Sequence, residues 1–162
     1  IFKYSTNERL GKMDVDLIDI DLVTDTDATA DNGVISNPVE IANAVSVNAG
    51  TSILQSVQLI DDDHDGAVID LVFTQVSTNL GTVNGAIDAA ASVAASILGV
   101  VSITSYFDGI AWQIAQKTNI GLVLKAAAST KSIYVGAINR NGGAVTKTAA
   151  DDLHLRLGIV KD

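Results

Sequence analysis

The chain has no cysteine, which excludes disulfides, thiolate metal sites and a thiol nucleophile and leaves the redox compartment open. Its one proline, Pro38, is too little for a proline-rich linker. Lys and Arg are missing altogether from residues 13–116, a span that holds 15 acidic residues. Phosphate contact needs a concentrated basic surface, so this gap argues against a nucleic-acid partner. Long hydrophobic runs are missing as well. The longest, AIDAAASVAASILGVVSI, is mostly alanine and serine and contains Asp88. A membrane span needs about 20 strongly apolar residues, so none is expected here. No secretory signal is visible, and a start at Ile1 implies either a removed leader or preceding residues.

What remains is a chain of 162 residues with 48% apolar composition, enough for one domain with a core of its own. Its charge is unevenly placed. Residues 1–12 carry three basic and one acidic side chain, and residues 117–162 carry seven basic and three acidic, which with the −15 of the middle gives the net −9. The favoured reading is that late basic strands neutralise early acidic ones within one fold. The sharper alternative is an acidic face on one copy meeting a basic face on another.

The apolar pattern is that of strands. In MDVDLIDIDLV the alternation changes phase near Leu17–Ile18, which predicts a bulge or twist, with Asp14, Asp16, Asp19 and Asp21 on the wet face. LHLRLGIV alternates strictly, with Leu153, Leu155, Leu157 and Ile159 inward and His154 outward. KTNIGLVLKAAASTKSIYVGAINR reads as a hairpin of two core strands. Gly121 and Gly136, inside those strands, call for a closely packed neighbour, either another subunit or an alanine-rich helix. That helix is predicted in AIDAAASVAASIL, with Ile87, Ala90 or Ala91, Ala94 and Ile97 or Leu98 on one face and Gly99 as its stop. Short strands separated by Gly, Asn, Asp and Ser predict an all-β fold: an antiparallel β-sandwich, jelly-roll-like, with one short alanine-rich helix. Residues 1–12 form an N-terminal arm and residues 13–162 a single β-sandwich domain. Ile1, Phe2 and Tyr4 give the arm apolar area to bury on its own domain or on a partner.

Several side chains are candidates for chemistry. Asp61, Asp63, Asp65 and Gly66 match positions 1, 3, 5 and 6 of a calcium loop, but position 12 is Val72, which cannot ligate. Asp and Gly also suit tight turns for conformational reasons. The turn is therefore favoured, and Asp61, Asp63 and Asp65 are weak calcium candidates with no metal or other cofactor assigned. Asp25, Asp27 and Asp31 form a second acidic loop, more in keeping with a solvated surface than with a metal site. His64 and His154 are the only histidines. No nucleophile elbow, zincin or phosphate-loop motif accompanies them, so the protein is not expected to be an enzyme. Tyr106, Phe107 and Trp112 could stack on a sugar if exposed, but with so few aromatics in the chain, Phe107 and Trp112 are expected in the core.

The segments SVQLIDDDHDGAVIDLVF, ILGVVSI, TNIGLVLKAAAST, SIYVGAINR and DDLHLRLGIVKD resemble small proteins that environmental and marine tailed phages encode, commonly beside the major capsid protein. The resemblance runs over residues 46–162. It implies an auxiliary virion component of the decoration or cement kind, which binds the capsid exterior and the major capsid protein, as a homo-oligomer with a trimer favoured. It carries over no catalytic residue. The alternative expectation is a calcium-assisted β-sandwich binding module for glycans or another surface ligand.

Overall fold

The computed structural model describes residues 14–161. The expected arm, with Ile1, Phe2 and Tyr4, lies outside the described residues. The strands are β1 (Asp14–Asp21), β2 (Val34–Ile41), β3 (Thr51–Asp61), β4 (Ile69–Thr74), β5 (Ile97–Ile103), β6 (Phe107–Asp108), β7 (Gln113–Lys125), β8 (Ile133–Asn139) and β9 (Leu153–Lys161), with one helical turn, α1 (Ala91–Ala94). They form two antiparallel sheets. Sheet 1 has the order β1-β9-β3-β7-β6 and sheet 2 the order β2-β8-β4-β5. Apart from the two-residue β6, this is the strand order of a jelly roll, a sandwich of two Greek keys. The all-β sandwich read from the sequence is the observed fold.

The core lies between the sheets. Leu153, Leu155, Leu157 and Ile159 of β9 are at most 1% exposed, as the strict alternation predicts. They face Ile69, Leu71 and Phe73 of β4 and Ile133 and Val135 of β8, all buried in the same cluster. Among the described residues no helix is long and apolar enough to cross a membrane.

Four local expectations are corrected. First, β1 has no bulge. Its register with β9 is unbroken from Asp14↔Lys161 to Asp21↔His154. The strand stays regular, so Val15 and Leu17 point to solvent, while Asp16, on the inner phase at the sheet rim, pairs with the Lys161 ammonium. Second, the alanine-rich helix is a single turn. It has no side-chain cap and no fully buried residue, with only Val93 half-buried against Val34, Val72, Leu80 and Ile138, so sheet pairing prevails from Ile97, which sits opposite Thr74 of β4.

Third, β7 and β8 are not a hairpin: they lie in opposite sheets. The same holds for β3 and β4, so the acidic turn is a corner between sheets rather than a hairpin turn. Fourth, neither glycine meets the alanine-rich helix. Gly121 has φ 67 and nothing near its missing Cβ, so its role is conformational. Gly136 faces a bulge of the edge strand β2, where the register shifts between Ser36 and Val39 around Pro38. A Cβ there would lie 2.9 Å from the Ser36 carbonyl oxygen and 3.1 Å from the Pro38 ring. Gly136→Ala is expected to destabilise by about 1–3 kcal/mol, read as a lower urea midpoint at unchanged slope. An unchanged midpoint would show that the bulge can move away.

Candidate functional site

The carboxylates of the acidic corner converge on a cation that belongs to the chain. Asp61 is fully buried at the end of β3, and Lys147, from the loop before β9, is 3% exposed. The Lys147 Nζ lies 3.0 Å from Asp61 Oδ1 and 2.8 Å from Asp65 Oδ2. The Gln113 amide donates to Asp61 Oδ2 at 2.8 Å, and the backbone N–H of Asp63 donates to Asp61 Oδ1 at 3.1 Å. Burial pushes Asp61 up, but the Gln113 hydrogen bond and the Lys147 charge outweigh it and hold the carboxyl below its ordinary value. Asp65 is raised, because burial exceeds what Lys147 returns. The Tyr106 hydroxyl closes the corner by donating to the Ala67 carbonyl at 2.6 Å. Of the three weak calcium candidates, Asp61 and Asp65 are thus engaged by Lys147, and Asp63 is half-buried beside them. Among the described residues no group of three or more His, Cys, Asp or Glu side chains is arranged to hold a metal.

The second acidic loop makes local bonds. The Asp27 N–H donates to Asp25 Oδ1 at 2.6 Å and holds that carboxyl below its ordinary value. The Gly142 N–H donates to Asp31 Oδ1 at 3.1 Å, tying the loop to residues 140–147.

Four of the seven late basic residues pair with early acidic ones inside the fold, in line with the favoured charge reading. Arg140 pairs with Asp70 at 2.9 Å, Arg156 with Asp19 at 2.7 Å, and Lys147 and Lys161 with the carboxylates named above. The histidines act in the same way. His154 spans Asp21, at 2.6 Å, and Asp62, at 3.1 Å, and His64 pairs with Asp108. Both imidazoles are raised above the ordinary His value, His64 chiefly by its bond to Asp108 and His154 chiefly by its bond to Asp21, with burial opposing.

These pairs stabilise the fold fully below the unfolded value of about 6.5, and the contribution is lost as pH rises through each raised native value. Thermal melts from about pH 6 to pH 9 should therefore fall more steeply for the protein than for a His64→Gln/His154→Gln variant. Parallel slopes would remove the histidines from this role.

The outward side of sheet 1 differs from end to end. At one end four aliphatic residues stand side by side across the strands: Val15 beside Val160, Val160 beside Ile53, and Ile53 beside Val123. Val15 is 67% exposed, Val123 57% and Ile53 41%, with Leu17 next to the row at 68%. Adjacent strands are about 4.8 Å apart, so the row spans about 14 Å. In the middle come Asp19, Arg156, Gln58 and Gln116. At the far end a groove of about 690 Å³ is lined by Gln58, Ser105, Tyr106, Phe107, Trp112, Ile114 and Gln116.

The aromatic expectation is corrected here. Phe107 is 71% and Trp112 42% exposed, because β6 and the turn that follows it lie on the sheet's rim. Tyr106 alone is half-buried. Nothing local in the sequence marks Lys147 or Gln113. The apolar row did leave a signal. The phase change in MDVDLIDIDLV is what a regular strand with aliphatic residues on both faces looks like. No protein-family model matches the chain, and no curated protein matches it.

Proposed function

We propose that the protein is an auxiliary structural protein of a phage virion, which binds the outside of the capsid and stabilises it as a decoration or cement protein, assembled as a homo-oligomer. The observation that carries this reading is the aliphatic row of exposed Val15, Ile53 and Val123 and half-buried Val160, with Leu17 beside it, at one end of the outward side of sheet 1. Contiguous exposed apolar surface marks an interaction site. The jelly roll supports the reading because its packed sheets give a rigid body, and the sequence resemblance points the same way.

The occupant of the row is the arm of an adjoining copy. Residues 1–12 are basic by two charges (three basic less one acidic), whereas the remaining residues sum to −11 (−15 + 4). The arm therefore matches the body in charge, and Ile1, Phe2 and Tyr4 match the row in polarity. Its root at β1 is immediately next to Val15. Twelve extended residues reach roughly 40 Å, enough to cross to a neighbour. Linkage by such arms, and to the major capsid protein beneath, stabilises the shell by mass action: what binds the assembled lattice and not loose subunits favours the lattice.

Heads of the encoding phage that lack the protein provide the test. The full chain added back should co-sediment with them and raise their disruption temperature. A chain without residues 1–12 should stay folded and fail to bind. Retained binding by the truncated chain would refute the arm's role, and no binding by either would refute the function.

A further inference from the structure

We infer that the groove between β6, β7 and β3 is a carbohydrate site that takes a neutral glycan across Phe107 and Trp112. The inference does not depend on the assembly reading, since the groove lies at the opposite end of sheet 1 from the aliphatic row.

The two rings make a platform. Their centroids are 6.2 Å apart and their planes are tilted by 33°, so together they form a shallow exposed cradle rather than a stacked, self-satisfied pair. The cradle is held in place. The Gly109 N–H donates to the Trp112 carbonyl at 2.9 Å, closing the turn after β6. The indole lies on the bare Cα of Gly109, where a Cβ would come within 2.8 Å of the ring. A platform fixed before binding loses little freedom when a ligand arrives.

The polar groups beside the platform are uncommitted. Among the described residues the side chains of Gln58, Gln116 and Ser105 make no hydrogen bond. Each glutamine amide offers a donor and an acceptor, and the serine hydroxyl offers both. Gln58 and Gln116 sit opposite each other across β3 and β7, which places two amides side by side. A ligand with an apolar C–H face and a rim of neighbouring hydroxyls satisfies both halves of this lining, and that is the chemistry of a pyranose ring.

Other ligand classes fit less well. No charged side chain lines the groove, so nothing selects a phosphate or carboxylate. A net charge of −9 repels nucleic acid. A polyproline peptide presents carbonyls to donors such as a tyrosine hydroxyl, and that of Tyr106 is already given to the Ala67 carbonyl.

Trp112 is the only tryptophan, so tryptophan emission, excited at the red edge where tyrosine does not absorb, reads this groove alone. The full chain would be titrated with cellohexaose, mannohexaose, laminarihexaose and tri-N-acetylchitotriose, and with a proline decamer as the competing class. The expected result is saturable quenching or a blue shift with at least one sugar at millimolar or tighter affinity. By calorimetry, binding of that sugar should weaken at least tenfold in Phe107→Ala and in Gln58→Ala/Gln116→Ala, with melting temperatures unchanged. Gly109→Ala, which displaces the indole, should also weaken it. No response to any of the sugars would overturn the inference. So would a response to the proline decamer alone, or sugar binding that survives all the variants.

Discussion

Lys147→Met is expected to destabilise the fold by about 3–5 kcal/mol, the cost of leaving a buried charge without its partner. The Lys147 ammonium is the cation of a corner whose Asp61 carboxylate has no solvent exposure. With the ammonium gone, Asp61 keeps the Gln113 amide and the Asp63 N–H, which do not neutralise it. Methionine preserves most of the side-chain volume, so the loss is electrostatic rather than a cavity.

Two further results are expected. The deficit should shrink as pH falls toward 4, because in the variant Asp61 titrates above its unfolded value of about 3.9 and can be protonated. Lys147→Met/Asp61→Asn should recover a substantial part of the loss, since it removes the fully buried carboxylate and leaves only that of Asp65, which reaches solvent. Urea denaturation at several pH values reads all three. A loss below about 1 kcal/mol, or one independent of pH, would mean that water reaches the corner and the pair is ordinary surface chemistry. Added calcium or chelator should leave the melting temperature of the protein unchanged, because Lys147 already engages Asp61 and Asp65.

Leu17→Lys/Val123→Lys should abolish assembly while leaving the body folded. Both side chains are more than half exposed, so the substitutions should alter stability by no more than about 0.5 kcal/mol. In the proposed assembly the same side chains would be buried, at roughly 1.5–3 kcal/mol each. Losing both removes at least about 3 kcal/mol, a weakening on the order of a hundredfold or more, and introduces two positive charges where a basic arm docks. Sedimentation equilibrium should therefore show an oligomer for the protein and a monomer for the variant, with matching far-ultraviolet spectra. Equal association states would place the contact elsewhere.

The sandwich was legible because one face of each core strand must be dry. The run Leu153, Leu155, Leu157 and Ile159 states its inner face unaided. The pairing of strands into sheets was not legible. The segments that become β7 and β8 show the same kind of apolar pattern whether they neighbour each other or lie across the core, and only the crossing loops of a jelly roll separate the two cases. The acidic corner was legible as a turn from Asp and Gly. Its stabilising cation was not, because Lys147 lies 86 positions after Asp61 in a loop with no period. The pattern places Val15 and Leu17 on one side of a bulged strand because a period-two reading assumes a single wet face. A strand with aliphatic residues on both faces, as β1 has, breaks that assumption. The general habit of aromatics places Phe107 and Trp112 in the core, and the rim position of β6 overrides it.

The proposed function is tested most directly by a cryo-electron microscopy map of virions of a phage that carries the gene. The account predicts jelly-roll density on the outer face of the capsid lattice, with Val15, Leu17, Ile53 and Val123 covered by the arm of an adjoining copy. Heads without that density, or bound copies whose aliphatic row faces open solvent, would contradict it.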